Sequence, residues 1–289
     1  MTELITSKYG YKSVRNMPTA VELAAHYNDK YYHKEDGSLQ YASEYSSQEM
    51  DHKKLIYQET VAIIGSKPGK VFEIAFGEGF ALNEFNQNGW QVSGIDFTLK
   101  GLTQYFPKLV KNVHQGDAFE YMQTLAKTGE KFDLIIANNV IEHVLNPEDL
   151  VKLMQQLLTP SGWVRIVAPN DGSWLQNLII NNGYAKENYY VCPPEHLHYF
   201  TKAPLEKLIN ANGLSVEMTV ADFPIDTFVL NPDSNYYADE KKGKNCHMVR
   251  VIFELELAKQ SIKQLISYKK GCADAGIGRD LIVFAQNKE

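Results

Sequence analysis

Between residues 71 and 79 the chain reads Val71-Phe72-Glu73-Ile74-Ala75-Phe76-Gly77-Glu78-Gly79: an apolar run, a carboxylate and a loop with two glycines. Glycine lets a loop turn with positive φ and lets a ligand come close to the backbone. The next apolar run, Gln91-Val92-Ser93-Gly94-Ile95, ends on Asp96 and Phe97. A carboxylate at that place can accept hydrogen bonds from both hydroxyls of a ribose. A third run is followed by Gly116-Asp117-Ala118, where an acid and the adjoining backbone could read the edge of an adenine. The glycine loop alone also fits a tight strand-to-helix turn that holds nothing. Three successive run ends in this order point instead to an adenosine-containing ligand. Glu73 and Glu78 lie beside the loop, and two carboxylates repel a pyrophosphate but suit a sulfonium and an ammonium. The residues therefore favour S-adenosylmethionine over a nicotinamide dinucleotide.

These side chains need strands to carry them. Apolar, β-rich runs occur at 71–75, 91–95, 112–115, 132–138, 162–168, 214–220 and 280–286. Helical patterns separate them. Asn146-Pro147-Glu148-Asp149 has a capping residue, a proline suited to the first helical position and two acids at the positive end. Leu150, Met154, Leu157 and Leu158 mark its apolar face, and Thr159-Pro160-Ser161-Gly162 stops it. A second helix spans 201–212, and 248–270 reads as one long helix. The alternation predicts an α/β fold: a Rossmann-like, seven-stranded, mainly parallel sheet with helices on both faces. The expected organisation is an N-terminal lid or helical segment (1–65), a core (66–223), an insertion serving as substrate cap or dimer element (224–278), and a last core strand (279–289).

The segment from Glu73 to Gly79 resembles the acidic-start glycine motif of class I S-adenosylmethionine-dependent methyltransferases, with Ala75 where the first glycine usually stands. Asp96 matches their ribose acid and Asp117 their adenine-side acid. Phe132-Asp133-Leu134-Ile135-Ile136-Ala137-Asn138-Asn139-Val140-Ile141-Glu142-His143-Val144 is similar to the fourth-strand motif of the subgroup with ubiquinone-type and sugar methyltransferases, as is Pro194-Glu195-His196-Leu197-His198-Tyr199-Phe200-Thr201. The resemblance implies a small-molecule methyltransferase. Its cofactor-binding residues would be Glu73, Ala75, Gly77, Gly79, Asp96, Phe97, Asp117, Ala118, Asn138 and Asn139. By subgroup analogy, the acceptor would be an oxygen of a nucleotide-linked sugar or other surface-glycan precursor. The rival functions are a nicotinamide-dependent oxidoreductase and a catalytically silent binding subunit.

A hydroxyl acceptor calls for a general base, and histidine suits neutral pH. His143, His196 and His198 are the candidates. Each could equally be an anchor, His143 to neighbouring backbone and the other two in a packed turn. No metal is expected: His196, His198, Glu195 and Cys192 lack the spacing of a closed zinc site. Glu142 with His143 is the alternative pair for a divalent ion. Tyr27, Tyr31, Tyr32, Tyr41 and Tyr45 could close over the cofactor, and Arg279 could meet a phosphate or carboxylate.

Composition bounds the rest. With 44% hydrophobic and 22% charged residues the 289-residue chain is globular, not disordered or fibrous. The net charge of −6 argues against nucleic acid as the main partner. No apolar run is long enough to span a bilayer, and Met1 to Thr6 holds no apolar signal core. Three distant cysteines, Cys192, Cys246 and Cys272, fit a reducing compartment, so the expected location is cytoplasmic, with a homodimer as a further expectation.

Overall fold

A computed structural model describes residues 2–26, 45–65 and 67–288. The chain opens with a hairpin, β1 (Leu4–Thr6) and β2 (Lys12–Val14), then helix α1 (Ala20–His26). Helix α2 (Ser47–Ile64) starts at a capping box, in which Ser46 and Glu49 satisfy each other's backbone N–H. The core then alternates: β3 (Lys70–Ile74), α3 (Phe80–Gln87), β4 (Gln91–Asp96), α4 (Lys100–Tyr105), β5 (Val113–Gln115), α5 (Ala118–Thr128), β6 (Phe132–Asn138), α6 (Pro147–Leu157) and β7 (Leu158–Pro169). Helix α7 (Trp174–Asn181), β8 (His198–Tyr199), α8 (Lys202–Ala211) and β9 (Leu214–Ala221) follow. Helices α9 (Gly243–Gln260) and α10 (Ile262–Ala275) precede the last strand, β10 (Asp280–Asn287). No helix among the described residues is long and apolar enough to cross a membrane.

The strands form one seven-stranded sheet in the order β5-β4-β3-β6-β7-β10-β9. From β5 to β7 every pairing is parallel; β10 runs antiparallel between β7 and β9. Thus the last strand enters the sheet interior, and the segment from 222 to 279 is inserted ahead of it. Side-chain alternation gives the sheet two buried faces. Phe72, Ile74, Ile135 and Ile166 pack with Leu150, Met154 and Leu157 of α6 and with Leu205, Leu208 and Ile209 of α8. Val71, Leu134, Ile136 and Phe284 pack with Ala81, Leu82 and Phe85 of α3. A separate small sheet, β1-β2-β8, ties the N-terminal hairpin to the segment that carries His196 and His198.

Two expectations are corrected. The single helix over 248–270 is two helices, broken at Ser261, whose backbone is extended (φ −171°, ψ 130°) and whose hydroxyl caps α10 by accepting from Lys263 N. The capping preference of serine outweighs the helical pattern around it. Strand β7 starts at Leu158, four residues before the expected Gly162, with its turn-like residues absorbed as an irregularity: Phe132 pairs with Leu158 but Leu134 pairs with Trp163. Tyr27, Tyr31, Tyr32 and Tyr41 lie outside the described residues.

The insertion is joined to the core by buried charge. Lys269 of α10 is 5% exposed, and its Nζ lies 2.6 Å from Glu59 Oε1 of α2 and 3.5 Å from Glu254 Oε1 of α9. Glu254 also accepts from Phe223 N, and its other oxygen meets His52 Nε2 at 2.5 Å. Breaking a buried pair from one side strands the opposite charge. Lys269→Ala is therefore expected to destabilise the fold by about 3–5 kcal/mol, measured by urea unfolding against the parent chain. A loss below about 1 kcal/mol would mean that Glu59 and Glu254 are neutral or hydrated instead.

Candidate active site

The sheet order reverses at β3, with β4 on one side and β6 on the other, and a crevice opens outside the carboxyl ends of these strands. A cavity of about 680 Å³ occupies that place. Ala75, Gly77, Asp96, Phe97, Asp117, Ala118, Asn138, Asn139 and His143 all line it. Glu73, Gly79, His196 and His198 do not.

Asp96 ends β4 and is 3% exposed. Its Oδ2 accepts from Gly77 N at 2.8 Å and its Oδ1 from Thr98 N at 3.0 Å. One carboxylate thus fixes the glycine loop and the next loop together. Gly77 has φ +54° and no atom within 4 Å of a built Cβ, so its face is open for close approach. Ala75, in the place of the usual first glycine, is itself left-handed (φ +53°). Asn139, at the end of β6, is also left-handed (φ +52°), a conformation asparagine tolerates. Asp117 caps α5, its Oδ1 accepting from Glu120 N at 2.9 Å.

Beneath the loop, burial raises the Glu73 carboxyl to about 8, while the nearby Arg165 guanidinium pulls it down. Glu73 Oε1 accepts from Asn138 Nδ2 at 3.2 Å, and Oε2 is buried without a partner among the described residues. Above the loop, the Tyr45 hydroxyl donates to Glu78, with Lys53 over the Tyr45 ring at 4.2 Å. Ala20 and Leu23 of α1 line the same cavity.

The three histidines separate. His143 Nδ1 donates to Glu195 O at 2.7 Å, which leaves the proton-free nitrogen as Nε2, 3.6 Å from Glu142 Oε1. Burial, aided by neighbouring His196, lowers its pKa to about 4. His196 lies behind it, with ring centroids 5.0 Å apart. Burial lowers the His196 pKa, but Asp171 and Cys192 outweigh it and lift the group to about 10. Asp171 Oδ2 stands 3.6 Å from His196 Nδ1, longer than a hydrogen bond but close for opposite charges. His198, expected among the bases, is 3% exposed and outside the cavity lining. Its Nε2 donates to Val144 O at 2.9 Å and its Nδ1 accepts from Ser13 Oγ at 2.8 Å, so both nitrogens serve packing. Arg279 meets Asp171 Oδ1 at 2.8 Å, an internal carboxylate.

Sequence reasoning passed over Arg165 and gave Glu142 only a minor place. Glu142 is fully buried, burial raises it to about 8, and both its oxygens lack a hydrogen-bond partner among the described residues. Glu142, His143 and His196 offer ligand atoms within 4.8 Å of one another, a donor set able to hold a metal ion. The available signal for each was a lone charge inside an apolar run.

The family described as "Methyltransferase domain" matches residues 49–219, more than half of the chain. The mitochondrial ubiquinone biosynthesis O-methyltransferase of Rattus norvegicus is 28% identical over 180 residues, covering 58% of this chain and 49% of that protein. The ubiquinone biosynthesis O-methyltransferase of Idiomarina loihiensis is 27% identical over 197 residues, covering 61% and 76%. The chain spans about half the length of the mitochondrial relatives it matches. Among solved structures, a SAM-dependent methyltransferase from Archaeoglobus fulgidus superposes with a TM-score of 0.51 at 19% identity, covering 84% of this chain and 95% of that one, a likeness of fold.

The loop geometry separates two substitutions. Ala75→Gly removes a left-handed Cβ and is expected to stabilise the fold by up to about 1 kcal/mol, part of the gain being offset by a freer unfolded chain. Gly79→Ala is expected to cost about 1–3 kcal/mol, since its φ is +77° and a Cβ would stand 2.1 Å from Leu102 Cδ1. Thermal unfolding measures both, and a shift of the same sign in the two variants would contradict the opposite strain assigned to these positions.

Proposed function

The chain belongs to the methyltransferase-domain family, and from that premise we propose that it transfers the methyl group of S-adenosylmethionine to an oxygen of a small, largely apolar acceptor. The observation that carries this reading is the charge of the crevice. Glu78, Asp96, Asp117, Glu120 and Asp149 line it, and Lys100 is the one Lys or Arg among its described lining residues. Such a donor set fits a cationic sulfonium and ammonium, and it repels the pyrophosphate of a dinucleotide. In this reading Asp96 receives the ribose hydroxyls. Phe97, Asp117 and Ala118 flank the adenine. The amino-acid end lies toward Ala75, Gly77, Asn138 and Asn139.

When bound, the cofactor supplies a methyl group on positive sulfur, with a neutral thioether as leaving group. The protein must hold the acceptor oxygen ~3 Å from that methyl, in line with it, and keep water out. Leu23, Val140, Val144 and Leu145 make the cavity wall apolar enough to do so. His143 Nε2 takes the acceptor proton as the new O–C bond forms. The same acidic lining argues against a nucleotide-linked sugar, whose pyrophosphate would need several cations. A neutral phenol fits better, and the O-methyltransferase relatives support oxygen as the acceptor atom. A second reading rests on the convergence of Glu142, His143 and His196: these side chains would hold a divalent ion, which would supply Lewis acidity toward the acceptor hydroxyl.

Asp96→Asn is expected to weaken S-adenosylhomocysteine binding by about tenfold or more, read by calorimetry, because charge-assisted bonds of about 1.5–3 kcal/mol each become neutral. An unchanged Kd would remove the ribose assignment. His143→Ala is expected to slow methylation of phenolic acceptors about 10²–10⁴-fold while S-adenosylhomocysteine affinity stays within about twofold. Loss of turnover after chelation, restored by added magnesium or zinc, would favour the second reading over the first.

A further inference from the structure

Arg165 stands in the middle of β7, opposite Ile136 of β6 and Phe284 of β10. It is 5% exposed on a face otherwise built from Leu134, Ile136, Val167 and Phe284. A guanidinium at that depth is costly unless its partners are well placed. Its NH1 donates to Asn138 Oδ1, and Asn138 Nδ2 in turn donates to Glu73 Oε1 at 3.2 Å. A guanidinium has donors only, so the Asn138 oxygen must face it and the Asn138 NH₂ is turned toward Glu73; flipped, two sets of donors would meet. Arg165 thus decides which edge Asn138 presents, and Asn138 lines the cavity while Arg165 does not. The Arg165 charge also opposes the effect of burial on Glu73, favouring its ionised form beneath Ala75. On the other side, Glu59 of α2 attracts the guanidinium.

With this cavity read as an S-adenosylmethionine site, a reading on which the inference rests, its end beyond the ribose is bordered by Asn138 and Ala75. We propose that Arg165 is a positioning residue for the aminocarboxyl end of the cofactor: it holds Asn138 and Glu73 as one oriented unit under that end of the crevice. Its hydrogen bond goes to Asn138, so its influence is expected at that end of the ligand.

Two ligands that differ only at that end test this. S-adenosylhomocysteine carries the aminocarboxyl group, and 5′-methylthioadenosine lacks it while keeping the adenosine and the thioether. In calorimetric titrations of the full chain, Arg165→Met is expected to weaken S-adenosylhomocysteine about tenfold and 5′-methylthioadenosine by less than about twofold. Arg165→Lys restores the charge without the planar fork and is expected to recover part of the loss. Should Arg165→Met fail to fold, Arg165→Lys, which keeps the positive charge that Glu59 attracts, carries the test by itself, with a partial loss confined to S-adenosylhomocysteine expected. Equal weakening of both ligands, or no weakening of either, overturns the proposal. A parent chain that binds neither ligand overturns the cofactor reading itself, and this proposal with it; a parent that binds both with an insensitive Arg165 variant overturns this proposal alone.

Discussion

At the end of β4 a single buried carboxylate, Asp96, accepts from the backbone of two loops at once, Gly77 at 2.8 Å and Thr98 at 3.0 Å. The rest of the crevice is arranged around that double anchor. The glycine loop cannot lift away from the sheet without leaving buried acceptor oxygens short of their donors, which is costly at this depth. The neighbouring strands then bring Asp117 and Asn138 to the same edge, because parallel strands end their loops on one side of the sheet. A loop held this way needs little rearrangement to receive a ligand.

The balance of charge explains what such a crevice can accept. Its lining is acidic, and two buried cations lie outside that lining and are engaged by partners: Arg165 by Asn138, Lys269 by Glu59 and Glu254. Anionic ligands meet repulsion there, while a sulfonium and an ammonium meet attraction. The buried cations also connect otherwise separate parts of the chain, since Glu59 on α2 attracts Arg165 beneath the site and pairs with Lys269 of α10. The insertion is thereby a packed part of the core, although α9 leaves Val249, Ile252 and Phe253 exposed on its outer side.

On the acceptor side, three histidines of similar appearance in the sequence have three different surroundings. His143 borders the cavity, His196 is held in charged form beside Asp171, and His198 is neutral between Ser13 and Val144. The N-terminal hairpin makes the difference for His198: β2 pairs with β8 and brings the Ser13 hydroxyl to its ring. Hydrophobic periodicity contains no information about a pairing between residues so far apart.

Local chemistry made much of this protein legible in advance. Apolar runs of strand length, a Pro-started and acid-led helix at Asn146, and the order glycine loop, Asp96, Asp117 specify a parallel sheet with its ligand end marked, because propensity, capping and alternation act over a few residues. The break at Ser261 was also written locally, in a capping residue that the surrounding helical pattern obscured. Tertiary structure alone decided which histidine faces the cavity, that Arg165 would govern Asn138, and that Glu142 would lie buried beside two imidazoles. Those outcomes depend on burial and on partners distant in the chain. The energy of a charged side chain is set by which groups surround it in space, and the sequence names the groups without saying which of them will meet.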